Sequence, residues 1–155
     1  MKYELSLLRT TRANTLKVLD GISFDTLCQI PEGFRNHLAW NFIHVWVTQQ
    51  LLCYKLSGLE MSISPEIVSR YRKGTAPDLE NPTTTAELAL ANEHFLSAVD
   101  TFEADLEKGI FKEFNTYPTS YNATLNSIED AIRFNNVHEA LHLGYIMAMK
   151  KALGI

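Results

Sequence analysis

Three imidazoles carry the chemistry that this sequence offers most directly. His138 and His142 stand four apart in Asn135-Asn136-Val137-His138-Glu139-Ala140-Leu141-His142-Leu143-Gly144-Tyr145, within a long, mostly apolar run. On an α-helix, residues four apart lie one turn above each other, so both rings can turn a nitrogen toward a single ion. A third imidazole, His44, lies in a run of matching character, Asn36-His37-Leu38-Ala39-Trp40-Asn41-Phe42-Ile43-His44-Val45-Trp46, and joins the pair if the two helices pack together. Three imidazoles from two facing helices suit a borderline divalent metal, Zn or Ni, with Fe a further candidate. Three protein ligands leave a coordination position open, as in a reactive site, whereas a structural zinc is usually closed by four. The open position would take water or a substrate heteroatom, whose pKa the ion lowers. The competing reading is that the three histidines are separately satisfied by hydrogen bonds or lie at the surface.

Other polar residues share helical phase with these. Asn41, His44 and Thr48 form one polar line on an otherwise apolar helix, and Asn135 lies one turn before His138. Polar groups inside a helical protein need partners, so Asn41, Thr48 and Asn135 are candidate pocket groups. Arg12 falls on the apolar stripe between Leu8 and Leu16; it either snorkels from the core edge or reaches a substrate anion. Glu139 is assigned to orient an imidazole by accepting its other N–H, with a plain surface carboxylate as the alternative. His37, two turns before His44, is too far along the axis to share its ion and is expected to be exposed. His94 is isolated and receives no role.

The letters His138-Glu139-Ala140-Leu141-His142 also match the zinc-protease helix, in which the glutamate is a general base. That motif needs a third ligand downstream. No His, Asp or Glu follows His142, and the metzincin third-ligand position is Ala148, so a protease is not expected.

These residues must be positioned by helices. Leu5, Leu8, Leu16 and Leu19 recur at helical steps from Glu4 to Asp20, and Gly21 follows where such a helix would stop. Residues 21–35 read as a connection with a helical turn around Phe24 to Leu27. Asn36 is expected to cap a second helix running to about Ser57 and ending at Gly58. Residues 59–83 hold three prolines and read as a long connection with one short helix from Pro65 to Arg72. Thr84-Thr85-Ala86-Glu87 is a capping-box pattern that starts a third long helix through Leu106. Residues 107–125 form another long connection containing a short extended piece. Asn126 is expected to cap the last helix, which ends at Gly154. Four long helices without a convincing strand pattern predict an all-α fold, a four-helix bundle with long crossover connections, formed by residues 1–155 as one domain.

Composition narrows the function further. A hydrophobic share of 46%, a charged share of 21% and a net charge of -4 are those of an ordinary globular chain and argue against a nucleic-acid surface. No apolar run is long enough to cross a bilayer, and the N-terminal residues lack a secretory pattern. Cys28 and Cys53 do not form a disulfide framework, so a cytoplasmic location is expected. Cys53 lies nine residues beyond His44, on the opposite side of that helix, which removes it as a co-ligand.

On Trp40-Asn41-Phe42-Ile43-His44 and His138-Glu139-Ala140-Leu141-His142-Leu143-Gly144, with the long connections between, the chain resembles the DinB/YfiT-like superfamily of metalloenzymes over nearly its whole length. The resemblance implies a four-helix bundle with crossovers, homodimerisation, and a divalent metal ion held by His44, His138 and His142. Relatives include transferases that attach low-molecular-weight thiols to electrophiles, and a thiol-dependent isomerase. Many relatives carry Gln directly after the glycine that follows the last histidine, where this chain has Tyr145. An aromatic hydroxyl there changes the shape and polarity of the pocket, so Tyr145 joins Glu139 as a candidate for a catalytic role. The resulting expectation is a metal-dependent thiol S-transferase whose partners are a small-molecule thiol and an electrophile, with no nucleic acid and no membrane. The alternatives are a metal-dependent hydrolase and a non-catalytic bundle that binds a small molecule or a protein.

Overall fold

Local sequence chemistry sets where each helix begins and ends in the computed structural model, which describes residues 1–155. Helix α1 spans Lys2–Leu19, a single turn α2 spans Phe24–Leu27, and α3 spans Leu38–Gln49. The α3 rod continues through a π-helical segment, Gln50–Tyr54, and a tight turn, Lys55–Ser57, and stops where Gly58 takes a left-handed conformation. The short α4 covers Pro65–Tyr71, and α5 covers Thr85–Glu107 behind the expected capping box of Thr84 and Glu87. A two-residue hairpin pairs β1 (Tyr117–Pro118) antiparallel with β2 (Thr124–Leu125), and α6 runs from Ile128 to Leu153 before left-handed Gly154.

Two caps differ from expectation by one residue. His37, not Asn36, caps α3, its Nδ1 accepting the Trp40 N–H at 2.9 Å. Ser127, not Asn126, caps α6, and the Asn126 N–H is instead bonded by Asp130 Oδ2. An imidazole ring nitrogen can accept from a free N–H of the first helical turn as a hydroxyl does, and here the ring is buried as well. The expectation that His37 is exposed is therefore corrected.

The chain is mostly helical, and its four long helices, α1, α3, α5 and α6, pack around shared cores. Helix α1 packs on α5 and α6, and α3 packs on the same two. Directions follow from the pairs that touch. Glu4 meets Asn136, Arg12 meets Glu139 and Val18 meets Lys150, so α1 and α6 run parallel. His44 meets His138 and Asn41 meets Met149, so α3 and α6 run antiparallel. Trp46 stacks on His94 and Tyr54 bonds Asp105, so α3 and α5 run parallel. The parallel neighbours α3 and α5 follow each other among the long helices and so require a long connection, which residues 58–84 provide.

Helix α3 is buried nearly all round, as its apolar composition requires. Trp40, Phe42 and Trp46 pack with Phe95 of α5 and with Val68 and Tyr71 of α4 in one core, while Leu5, Leu8, Phe102 and Ile132 form a second. Enclosure of α3 leaves its polar line facing only α6 and the α4 connection, and that seam is where the histidines meet. No helix is long and apolar enough to cross a membrane.

Candidate metal centre

The antiparallel crossing of α3 and α6 brings His44, His138 and His142 together. Their candidate ligand atoms all lie within 4.8 Å of one another. The Nε2 atoms of His44 and His138 are 3.2 Å apart. Two nitrogens that each lie about 2.1 Å from a tetrahedral zinc are separated by about 3.4 Å, so this pair already has the spacing of two ligands to one ion.

The surroundings fix which nitrogens are free. His44 Nδ1 lies 2.6 Å from the carbonyl oxygen of Tyr71, which can only accept, so Nδ1 carries the proton and Nε2 keeps its lone pair. Asn41 orients the second ring. Its Nδ2 donates to the His37 carbonyl at 3.0 Å, which turns Oδ1 toward His142 Nδ1 at 2.9 Å, and the Nε2 of His142 is again left unprotonated. His138 is different, because its Nδ1 is buried with no hydrogen-bond partner. Three imidazoles gathered at one spot, with His138 Nδ1 buried and unpaired, form a cluster that hydrogen bonds within the protein satisfy only in part. A divalent cation fits this donor set.

Electrostatics prepare the rings for the same role. Burial pushes the pKa of His44 down, against a small opposing contribution from its bond to the Tyr71 carbonyl. Burial, followed by repulsion from His142 and His44, holds His138 well below the usual imidazole range. Burial, with repulsion from His44, lowers His142 to about 3. All three rings are therefore neutral near pH 7, and a metal would not have to displace protons from them.

The remaining predicted residues divide. Asn41 and Thr48 stand with the histidines, the Thr48 hydroxyl 3.4 Å from His44 Nε2. Tyr145 lines a cavity beside His142, packs on Phe34 with ring centroids 5.1 Å apart, and is 41% exposed. Arg12, Asn135 and Glu139 are elsewhere, which corrects three expectations. Arg12 is 0% exposed and lines no cavity at the histidines; its guanidinium grips Glu139 at 2.7 Å and the Gln49 side chain at 3.0 Å. Glu139 accepts from Arg12 and from Asn135 Nδ2 at 2.8 Å, so it neither orients an imidazole nor reaches a substrate. One position along a helix rotates a side chain by about 100°, and the residue after His138 therefore points into the α1 interface. Asn135, fully buried, supports Glu139 and is not a pocket group.

Two cavities open at the centre and share His44, His142 and Lys73. One, of about 580 Å³, lies between the end of the α3 rod, α6 and the hairpin, and includes Thr48, His138 and Phe134. The other, of about 510 Å³, lies toward the start of α3 and includes Asn41 and Tyr145. Both fall in the size range of small-molecule sites. A larger cavity of about 770 Å³ lies between α1, α2 and α5, and none of the three histidines lines it.

Some site residues escape a reading by residue type. Tyr71 acts through its backbone carbonyl, which no side chain announces. Trp40 stacks on His44 at 4.6 Å, and its position one turn before that histidine was the available signal. Lys55, Arg72 and Lys73 line the first cavity, and the basic run from Arg70 to Lys73 was the trace they left in the sequence.

Comparison with protein families matches residues 7–146 to the DinB superfamily. Comparison with curated proteins returns no match.

Proposed function

We propose, from the premise that this chain belongs to the DinB superfamily, that it is a divalent-metal protein in which His44, His138 and His142 are the ligands and that it transfers a small thiol to an electrophile. One observation carries the reading: three neutral imidazoles converge from two helices on a spot flanked by two cavities. Zn or Ni suits the all-nitrogen donor set, with Fe as a further candidate. Bound there, a divalent ion supplies the Lewis acidity that lowers the pKa of a thiol in its open position.

The protein's own residues supply the rest. The Tyr71 carbonyl and Asn41 hold two rings in the tautomer that leaves Nε2 free. The shared histidines let two small molecules approach from opposite cavities, which is what joining two substrates requires. In that reaction the thiol gives its proton to solvent, its sulfur bonds to the electrophilic carbon, and the leaving group departs with its electron pair. Hydrolysis by an ion-bound hydroxide is the second reading; no carboxylate lines either cavity and Glu139 is occupied by Arg12, so it would proceed without a carboxylate base. The reading further includes a single four-helix-bundle domain, a homodimer and a cytoplasmic location, the last supported by free Cys28 and Cys53.

Purified protein loaded with Zn or Ni is expected to hold one ion per chain by mass spectrometry and to couple a biological thiol to a chlorinated aromatic compound. Substitution of both His138 and His142 by Ala is expected to abolish both properties. Turnover that persists in this variant would remove the mechanism.

A further inference from the structure

The two cavities beside the imidazoles share a charge bias that metal ligation does not require. Four of the 14 Lys and Arg residues, Arg35, Lys55, Arg72 and Lys73, line one or both, and none of the 18 Asp and Glu residues lines either. Acids outnumber bases over the chain, so the bias belongs to the site. The protein's ion pairs engage Arg9, Arg12, Arg70, Lys108 and Arg133, and none of the four cavity cations.

Their placement is held by the fold. Arg70 is tied to Glu87 and to the carbonyls of Asn81 and Pro82, and its own carbonyl accepts from Trp40 Nε1 and Thr75. The next residue, Tyr71, bonds His44 through its carbonyl. Arg72 and Lys73 follow directly, so the contacts that orient a histidine also bring two unpaired cations to the cavity. A divalent ion on three neutral imidazoles keeps its full charge, and added cations without carboxylates raise the local potential further. The only buried carboxylate, Glu139, is already neutralised by Arg12. An anionic guest would meet a complementary field there.

The cavity of about 580 Å³ adds a second selectivity: Leu51, Leu52, Leu56 and Phe134 give it apolar walls, while Lys55, Arg72 and Lys73 are exposed to solvent at its opening. We infer that this cavity takes an amphipathic organic carboxylate, its apolar body against the leucines and Phe134 and its anionic group among the three cations. Its part as the electrophilic co-substrate rests on the thiol-transfer reading above. Carboxylate binding by the cations does not.

Octanoate, compared with 1-octanol, is the probe, titrated calorimetrically into zinc-loaded and EDTA-treated protein. Octanoate is expected to bind at least tenfold more tightly than the alcohol in both forms, and more weakly as salt is raised. The triple variant Lys55→Gln, Arg72→Gln, Lys73→Gln is expected to lose at least fivefold in octanoate affinity while its zinc stoichiometry is unchanged; Lys112→Gln, remote from the cavity, leaves both unchanged. Equal affinity for acid and alcohol, or full octanoate affinity in the triple variant, overturns the inference. Zinc binding without the octanoate preference removes this inference alone. The octanoate preference in a protein that holds no zinc supports the anion cavity and removes the metal reading.

Discussion

Asn41 is the side chain whose loss best separates a metal site from three unrelated histidines. Of the three clustered imidazoles it bonds His142 alone, at the outer nitrogen, and partners of this kind typically contribute 10–100-fold to metal affinity. Asn41→Ala is therefore expected to weaken zinc binding by about 10- to 100-fold in a competition titration with a chelator; a variant that binds zinc as the parent does would show that the imidazole needs no orientation. The histidine pair could be read at this scale because the i, i+4 relation is set by helix geometry alone. His37 could not, since its role depends on the ring folding back onto the Trp40 N–H, which is a matter of backbone conformation at one residue. Asn retains the ability to cap, so His37→Asn is expected to preserve most of the stability that His37→Ala would lose, roughly 0.5–2 kcal/mol.

Between elements, the strongest polar tie is the Arg12–Glu139 pair, which joins parallel helices α1 and α6 at full burial. Removing one partner leaves a desolvated charge, so Arg12→Met is expected to cost about 3–5 kcal/mol in urea unfolding. Arg12→Met combined with Glu139→Leu should recover much of that loss, because neither charge then remains; a double variant as unstable as the single one would mean that Gln49 and Asn135 depend on the pair. Glu139 follows a ligand in sequence yet belongs to this tie and not to the metal centre. Its neighbour His138 faces α3 and it faces α1, a division made by α6 packing on two helices at once. The connection after α3 has an equally definite role, since it carries the Tyr71 carbonyl to His44, and a segment that looks like a linker thereby completes the site.

Taken as a whole, the molecule is expected to lose stability in acid before its carboxylates titrate. Burial lowers His37 to about 4 and His142 to about 3 from an ordinary 6.5. Between those values and 6.5 the unfolded chain binds more protons than the folded one, so stability rises with pH across that window and falls on acidification below 6.5. Urea midpoints at pH 7, 6, 5 and 4 should decrease in that order, and the profile of His37→Asn should be flatter; a constant midpoint down to pH 5 would contradict the burial of these rings. Zinc at a hundred times its dissociation constant is expected to stabilise the fold by about 2.7 kcal/mol. For a chain of this size that corresponds to a rise of roughly 5–11 °C in Tm, absent in the His138→Ala, His142→Ala variant. The amino-acid sequence by itself determined the helices, most of their ends and the three histidines, because helical period and capping act over a few residues. It did not determine that Arg12 and Glu139 consume each other, that Asn135 serves Glu139, or that Arg72 and Lys73 stand beside His44. Those outcomes depend on which helices are neighbours and in which direction each runs, and such long-range choices are made by the packing of the whole core.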